Sequence, residues 1–335
     1  MNKNRIAVLG AGTWGVALAA MLAGEGREVA VWSALPEEIA SLNATRRQKN
    51  LPRLALPCSI TFSVSLADTV ADAAMVLFAV PSAFVRATAR AAAPHLSHGQ
   101  TVVDVAKGIE ESTLLTMSGI ITEELRKAGK ILPVVALSGP THAEEVAEGL
   151  PTAIVAASCD AEAARAVQNF FMNGTFRVYT SDDPLGVELC GAIKNVIALA
   201  AGVAAGLGFG DNTAAALMTR GMAEIARLGR AVGAKSETFY GLAGIGDVIV
   251  TATSPHSRNR RVGALLAKGY TAEQAKAEVG MVVEGLYALP AACALAERHG
   301  VEMPIVFAVR DLVAGKCTPE EAVRGLMCRE GKPEF

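Results

Sequence analysis

The sequence is poor in aromatic residues, in unbalanced charge and in paired cysteines. Only 5% of its 335 residues are aromatic, and the formal net charge is −2. Because basic residues form no more than short clusters, we expect no nucleic-acid partner. The six cysteines are scattered without a C-x-x-C pair, so the sequence predicts neither a zinc site nor a disulfide framework. No signal peptide precedes the first apolar run, and we therefore expect a cytoplasmic protein. The five histidines show no metal-ligand spacing, so we expect no bound metal.

One apolar stretch, residues 189–210 (LCGAIKNVIALAAGVAAGLGFG), is long enough to cross a bilayer. Its single charge is Lys194, and no cluster of lysine or arginine flanks it, so we interpret it as a buried helix and expect no stable membrane insertion. A buried ammonium must be paired, hydrogen-bonded or shifted in pKa. Lys194 therefore either reaches a surface carboxylate or faces a cleft and transfers protons there.

The first residues carry the pattern of a dinucleotide-binding unit. A short apolar strand at residues 5–9 is followed by Gly10, Gly12 and Gly15 in G-x-G-x-x-G spacing, then by a helical pattern and a second strand, EVAVW. In this arrangement the glycines let the backbone approach a pyrophosphate, and the helix amino terminus offers N–H groups to it. The surrounding strands and helix make the motif much more specific than the glycines alone.

The end of the second strand leaves the choice of dinucleotide open. An acidic residue there would hold the adenine ribose 2′-hydroxyl and favour NAD, but Ser33 and Ala34 are uncharged. Residues 37–38, both glutamate, follow a proline and are interpreted as the start of a helix. Arg46 and Arg47 could reach a 2′-phosphate, although a solvated helix face is the simpler interpretation. Both NAD and NADP therefore stay candidates.

Five further apolar runs follow at the spacing of alternating strands and helices, and from about residue 181 only helical patterns remain. We therefore predict an α/β fold, a Rossmann-type doubly wound and mostly parallel sheet, followed by an all-helical carboxy-terminal domain. The predicted domains are residues 1–180 for NAD(P) binding and residues 181–335 for substrate binding and catalysis. Ligands collect at the carboxyl ends of such strands, where the sequence has Lys107, Gly139 and Thr141.

Polar residues interrupt the helices of the second half at two places. Asp247 follows a glycine-rich segment, and residues 257–259 then offer a hydroxyl, a guanidinium and an amide in succession. Such donors suit a phosphate group, although exposed arginines in a polar loop would give the same pattern. Residues 211–213 (Asp-Asn-Thr) predict a helix cap, because asparagine and threonine side chains accept from unpaired N–H groups.

Taken together, these stretches resemble the bacterial NAD(P)-dependent glycerol-3-phosphate dehydrogenases over nearly the whole chain. The resemblance is carried by GAGTWG, AKGIE, LSGPTHAEEVA, ELCGAIKNVIALAAG, GDNTAAALMTRGMAEI, GLAGIGD, SRNRRVG and VVEG. It implies reversible hydride transfer between NAD(P)H and dihydroxyacetone phosphate, which gives sn-glycerol 3-phosphate for glycerophospholipid synthesis. It also implies a phosphorylated small-molecule substrate and a homodimer.

The resemblance assigns roles residue by residue. Lys194 matches the catalytic lysine, a general base that takes the proton of the C2 hydroxyl, and Lys107 is a second catalytic cation. The implied cofactor contacts are Gly10, Gly12, Thr13, Trp14, Gly15, Lys107, Ala143, Arg258, Val282 and Glu284. The implied substrate contacts are Lys107, Gly139, Thr141, Lys194, Asp247, Ser257, Arg258 and Asn259. Two positions depart from the family pattern: Ala34, where relatives often have histidine or arginine, and His142, where many have phenylalanine.

Two other interpretations stay open. A 3-hydroxyacid or 6-phosphogluconate type of dehydrogenase also places a lysine on a helix after its nucleotide domain, but the SRNR and GDN…TRG segments argue against it. A non-catalytic dinucleotide sensor would keep the glycine loop but would need neither a buried lysine nor a cluster of phosphate donors.

Overall fold

The computed structural model describes residues 2–331 and 333–334. Their backbone contacts divide the chain into two compact units: unit 1 comprises Met1–Lys107 and Leu115–Glu188, and unit 2 comprises Gly108–Leu114 and Leu189–Phe335. The domain boundary predicted near residue 180 stays a prediction. The helix that begins at Pro184 and ends at Gly206 runs through the point of division.

Unit 1 is an eight-stranded sheet in the order β3-β2-β1-β4-β5-β6-β7-β8. All neighbouring strands are parallel except β6 and β7, which are antiparallel. The mostly parallel sheet predicted from the sequence is confirmed. The strands are β1 Asn2–Leu9, β2 Glu28–Trp32, β3 Thr61–Ser63, β4 Ala73–Phe78, β5 Thr101–Asp104, β6 Val134–Ser138, β7 Thr152–Ala157 and β8 Phe176–Ser181.

Helices cover both faces of this sheet. Ile6 and Val8 enter one apolar core and Ala7 and Leu9 enter the other, because successive side chains of a strand point to opposite faces. The helices are α1 Thr13–Gly24, α2 Pro36–Thr45, α3 Leu66–Val70, α4 Val85–Ala92, α5 Met117–Lys127, α6 Ala143–Ala147 and α7 Ala161–Phe171. The first core includes residues of α1, α2 and α7, and the second includes residues of α3, α4 and α5.

The long apolar stretch is the helix α8, Pro184–Gly206. Among the residues that the structure describes, it is the one helix with the length and hydropathy of a membrane span. In its most apolar 18-residue window, however, 83% of the residues are buried inside the protein. The interpretation of this stretch as a buried helix is therefore confirmed.

Among the described residues from Pro184 onward, the regular elements of unit 2 are helices, as the sequence predicted. Its helices beyond α8 are α9 Asp211–Ala231, α10 Asp247–Thr253, α11 Arg258–Ala267, α12 Ala272–Val279, α13 Glu284–Arg298, α14 Pro304–Val313 and α15 Pro319–Met327. The cap predicted at residues 211–213 is wrong by one position. Gly210 is the N-cap of α9 and no side chain caps the helix, because Asp211 already has helical geometry.

Two glycines let α8 and α11 pack with their backbones in contact. A Cβ atom added to Gly202 would overlap the carbonyl of Arg260, and one added to Gly263 would overlap the carbonyl of Leu199. Such close approach is possible only where both side chains are absent. The start of α11 also lies beside the part of α8 that carries Lys194, because Asn259 donates a hydrogen bond to Asn195.

Candidate active site

The residues predicted from the sequence fall into two groups, one in each unit. In unit 2 the central residue is Lys194, which is only 5% exposed. Its ammonium Nζ donates hydrogen bonds to Asp247 Oδ1 and, at 2.6 Å, to Thr251 Oγ1. Asp247 is fully buried, so the partner of Lys194 is an interior carboxylate and not a surface one. The structure thus brings together two predicted residues, Lys194 and Asp247.

Thr251 was missed by the sequence interpretation. It lies one turn after Asp247 on α10, and its hydroxyl also donates to Asp247 Oδ1 at 3.3 Å. The i, i+4 spacing places both side chains on one face of the helix, which is the signal that could have identified it. With two oxygen partners, the Lys194 ammonium is held in one orientation.

A chain of amides links α8, α11 and α13. Asn259 donates through Nδ2 to Asn195 Oδ1 at 2.9 Å, and its Oδ1 accepts from the backbone N–H of Gly285 at 2.9 Å. Asn195 in turn donates to the Gly191 carbonyl at 3.1 Å. The Asn259 side chain therefore holds neighbouring elements in place, and the substrate contact implied for it stays a prediction. Asn195, adjacent to Lys194, was also missed.

The beginning of α11 carries the other predicted phosphate donors. Ser257 is the N-cap of α11, and its hydroxyl accepts from the backbone N–H of Arg260 at 3.2 Å. Arg258 is half-buried and donates to the Val282 carbonyl at 2.8 Å. The predicted Val282 and Arg258 are thus in direct contact, and Glu284 begins α13 two residues after Val282. A helix amino terminus with an adjacent guanidinium suits an anionic ligand.

In unit 1, predicted residues meet at the carboxyl ends of β5 and β6. Lys107 donates from Nζ to the Gly139 carbonyl at 3.0 Å, and Thr141 Oγ1 donates to the same oxygen at 3.2 Å. Ala143 begins the short helix α6 directly after this turn, with His142 as its N-cap. The parallel strands therefore bring Lys107, Gly139 and Thr141 together as predicted, because the carboxyl ends of β5 and β6 are neighbours.

The glycine loop has the geometry that a pyrophosphate requires. Gly10 has φ +124°, and a Cβ there would lie 2.7 Å from the Ala79 backbone, so only glycine fits. A Cβ at Gly12, in contrast, would meet no atom within 4 Å, so this side of the loop is open. Gly12 is also the N-cap of α1, and no side chain caps that helix. The loop thus fits a dinucleotide phosphate at a helix amino terminus.

Thr13 and Trp14, the first residues of α1, are placed beside this loop. Thr13 Oγ1 accepts a hydrogen bond from Asn50 Nδ2 at 3.0 Å, which joins the start of α1 to the segment after α2. Trp14 is half-buried and packs against the first apolar core. Their contacts with a cofactor stay a prediction.

The buried carboxyl nearest to Lys194 in the sequence, Glu188, has a structural role within unit 1. It accepts from the backbone N–H of Ser118 at 2.7 Å and from Thr116 Oγ1 at 3.0 Å, so it caps the first turn of α5. Burial raises the pKa of Glu188 above its usual range, and the hydrogen bonds from Ser118 and Thr116 oppose that rise.

Known protein families match both halves of the chain. The family model described as NAD-dependent glycerol-3-phosphate dehydrogenase N-terminus matches residues 5–164, and that of the same enzyme's C-terminus matches residues 183–324. The glycerol-3-phosphate dehydrogenase [NAD(P)+] 2 of Lactobacillus delbrueckii subsp. bulgaricus is 58% identical over 333 residues, which are 99% of each chain. The glycerol-3-phosphate dehydrogenase [NAD(P)+] of Agathobacter rectalis is 49% identical over 99% of this chain and 98% of its own.

A solved structure agrees with these sequence matches. The crystal structure of glycerol-3-phosphate dehydrogenase from Coxiella burnetii superposes with a TM-score of 0.92 at 35% identity, over 97% of this chain and 99% of that one. The family, the oxidoreductase class and the use of an NAD(P) cofactor, all predicted from the motifs, are confirmed. The chain belongs to the NAD-dependent glycerol-3-phosphate dehydrogenase family.

Proposed function

We propose that this chain catalyses reversible hydride transfer between NAD(P)H and dihydroxyacetone phosphate to give sn-glycerol 3-phosphate, the glycerol unit of glycerophospholipids. The observation that carries the proposal is the buried Lys194, held by Asp247 and Thr251 within the same unit as the anion-binding start of α11. Neither a dinucleotide sensor nor a purely structural core needs a buried, oriented ammonium of this kind.

Lys194 is the proton donor and acceptor of the proposed reaction. A dinucleotide bound at the glycine loop would supply the hydride that C2 of dihydroxyacetone phosphate accepts. The Lys194 ammonium gives one proton to the carbonyl oxygen that becomes the C2 hydroxyl. In the reverse direction the neutral amine takes that proton back. Acid–base help of this kind contributes about 10²–10⁴-fold to the rate. Asp247 and Thr251 aim Nζ, and Asp247 also compensates the buried positive charge.

The substrate phosphate is proposed to bind at the start of α11. The N–H groups of the first helical turn and the Arg258 guanidinium supply donors, with Ser257 at the N-cap. The Val282 carbonyl fixes the orientation of Arg258, and Asn259 holds the backbone of residue 285 in place. Lys107 and Thr141, gathered around the Gly139 carbonyl, are the proposed substrate contacts of unit 1.

The dinucleotide is proposed to bind along the glycine loop of unit 1. The open side of Gly12 and the uncapped start of α1 receive the pyrophosphate. Gly10 and Gly15 shape the turn, and the remaining proposed contacts are Thr13, Trp14, Lys107, Ala143, Arg258, Val282 and Glu284.

We further propose a cytoplasmic homodimer that neither binds nucleic acid nor inserts into a membrane. The near-neutral net charge of −2 supports the absence of nucleic-acid binding, and the burial of α8 inside the protein supports the absence of membrane insertion. The homodimer rests on the family resemblance alone. Light scattering of the purified chain should give twice the monomer mass of 34.6 kDa.

The direct test is the oxidation of NADH and NADPH, followed by absorbance, with dihydroxyacetone phosphate as the substrate. We expect turnover with at least one dinucleotide and glycerol 3-phosphate as the product. In the oxidative direction, 3-hydroxyisobutyrate and 6-phosphogluconate should give no turnover with NAD or NADP. Turnover with either of these and none with glycerol 3-phosphate would favour the alternative dehydrogenases, and no turnover with any substrate would favour the sensor.

A further inference from the structure

We propose that Glu38 makes this enzyme prefer NAD over NADP, by placing its carboxylate at the end of β2 where the adenine ribose of the dinucleotide binds. The inference rests on the proposed function only in its premise that a nicotinamide dinucleotide binds along the glycine loop. Glu38 and its neighbours at the end of β2 all belong to unit 1.

The end of β2 lies directly beside the glycine loop. Leu9 and Trp32, the last residues of β1 and β2, are opposite each other in the sheet. The backbone N–H of Gly10 donates to the Trp32 carbonyl at 2.8 Å. Ser33, the next residue, therefore lies at the same edge as the loop that receives the pyrophosphate. In sheets of this type the adenine ribose binds at the end of the second strand, and the group found there discriminates between NAD and NADP.

At this position the buried Ser33 forms a hydrogen bond with the carboxylate of Glu38. Ser33 is 5% exposed, and its hydroxyl donates to Glu38 Oε2 at 2.6 Å while it accepts from the Leu35 N–H at 3.2 Å. Glu38 is in the first turn of α2 and is half-buried. Residues 33–34 carry no acidic group themselves, but the fold places the carboxylate of Glu38 next to Ser33.

The two arginines that could hold a 2′-phosphate are directed elsewhere. Arg46 donates to the Ile60 carbonyl at 2.7 Å, and its guanidinium lies over the Phe62 ring, 5.3 Å from the centroid. Arg47 donates to the Pro52 carbonyl at 2.7 Å. Both guanidiniums therefore already hold the segment between α2 and β3.

The chemistry of the two cofactors differs at this one group. A carboxylate only accepts hydrogen bonds, and the ribose 2′-hydroxyl of NAD can donate one to it. The 2′-phosphate of NADP would instead bring negative charge toward a carboxylate that Ser33 holds in place, and like charges at short range repel strongly. The site as built therefore accepts a hydroxyl and disfavours a phosphate.

Binding of NADH and NADPH to the purified full-length chain, measured by isothermal titration calorimetry, tests the proposal without turnover. We expect NADH to bind at least about tenfold more tightly than NADPH. Glu38→Gln should reduce this ratio by about tenfold, mainly by tightening NADPH, and Ser33→Ala should also reduce it because the carboxylate loses its tether. Glu37→Gln, one residue away and exposed, is the matched control and should leave the ratio unchanged. Thermal unfolding verifies that each variant is folded.

The possible results separate this proposal from the proposed function. Equal or tighter binding of NADPH by the natural sequence overturns the role of Glu38, and so does an unchanged ratio in Glu38→Gln. Failure of both dinucleotides to bind overturns the role of Glu38 and the proposed function together. A preference for NADH that Glu38→Gln removes, in a protein that does not reduce dihydroxyacetone phosphate, supports the role of Glu38 and overturns the proposed reaction alone.

Discussion

At the scale of single residues, Lys194 shows how an interior charge is accommodated. Truncating one partner of a buried pair leaves the other charge without compensation, which costs several kcal/mol in typical cases. Removal of the lysine and removal of Asp247 should therefore have different consequences. Without Lys194 the Asp247 carboxylate still has the Thr251 hydroxyl as a donor, whereas without Asp247 the ammonium loses its nearest acceptor. The lysine is thus the cleaner position at which to test the chemistry.

We expect Lys194→Ala to lose at least about a hundredfold in kcat, because the proton of the C2 hydroxyl then has no positioned donor or acceptor. Binding of the dinucleotide, measured by calorimetry, should change little. Lys268→Ala, an exposed lysine just after α11, is the control and should keep full activity. Near-normal turnover of Lys194→Ala would refute the proposed role.

Thr251→Val tests the positioning role that sequence interpretation missed. Valine keeps the shape but removes the hydroxyl that accepts from Lys194, so we expect kcat to fall by about tenfold with little change in KM. The pH profile of kcat should shift as well, since one of the two partners of the ammonium is lost. A lower Tm with an unchanged kcat and pH profile would show that Thr251 contributes to packing and does not position Lys194.

Arg258→Ala should raise the KM for dihydroxyacetone phosphate by about tenfold or more, because a charge-assisted contact with the phosphate is lost. The Tm should change by little, since Arg258 is only half-buried and its hydrogen bond to Val282 is made to a neutral carbonyl. Arg261→Ala, an exposed arginine on the same helix, is the matched control. An unchanged KM in Arg258→Ala would place the phosphate elsewhere.

At the scale of secondary-structure elements, the site of unit 2 depends on how closely α8 and α11 approach. Their crossing at Gly202 and Gly263 brings backbone against backbone, so the pair acts as one rigid support for Lys194 and Arg258. Overpacking at such a crossing forces main-chain shifts, which typically cost about 1–3 kcal/mol. Precision at the site is therefore set by residues that do not touch substrate.

Gly263→Ala should accordingly destabilise the protein by about 1–3 kcal/mol and also lower activity, because the start of α11 must move. Gly325→Ala is the matched control within another helix of unit 2, α15, where an added Cβ meets no atom within 4 Å. That change should be neutral or slightly stabilising, since alanine favours the helix. Urea unfolding of both variants, together with kcat, makes the comparison. Equal stability of the two would contradict the close crossing.

Element positions were predictable from the sequence to different degrees. Long apolar runs such as Ala73–Phe78 identified their strands, but β3 was missed because its three residues, Thr61–Ser63, are too few to show periodicity. Lys194 stood out because it is the only charge in an apolar stretch. Thr251, Asn195 and Glu38 did not, because their roles arise from contacts between elements that a linear pattern does not contain.

At the scale of the whole molecule, buried carboxyls set how stability depends on pH. Glu224 of α9 is 3% exposed and accepts from the N–H groups of Ile305 at 2.8 Å and Val306 at 3.3 Å, which caps the start of α14. Burial raises the pKa of Glu224 from 4.5 to about 7, and the hydrogen bonds from Ile305 and Val306 oppose that rise. Folded Glu224 therefore keeps its proton at pH values where the unfolded chain has released it.

Between pH 4.5 and about 7 the folded state thus binds the extra proton, and the free energy of unfolding should fall as the pH rises through this window. Above about pH 7 this contribution should be constant. Glu224→Gln should remove this part of the pH dependence, as measured by urea unfolding at several pH values. Glu278→Gln, at an exposed position in α12, should leave the slope as it is. The same slope in Glu224→Gln as in the natural sequence would contradict the assignment.

The reversal of direction between β6 and β7 has a practical consequence for attaching the molecule to a support. β7 is antiparallel to β6, which is parallel to β1. The carboxyl end of β7 therefore lies at the opposite end of the strands from the glycine loop. The short exposed turn after it contains Cys159, whose thiol is solvent-accessible. With the other exposed cysteines, Cys58 and Cys328, replaced by serine, a fluorophore or resin attached through Cys159 would leave the nucleotide-facing rim unobstructed, which suits immobilised or single-molecule assays.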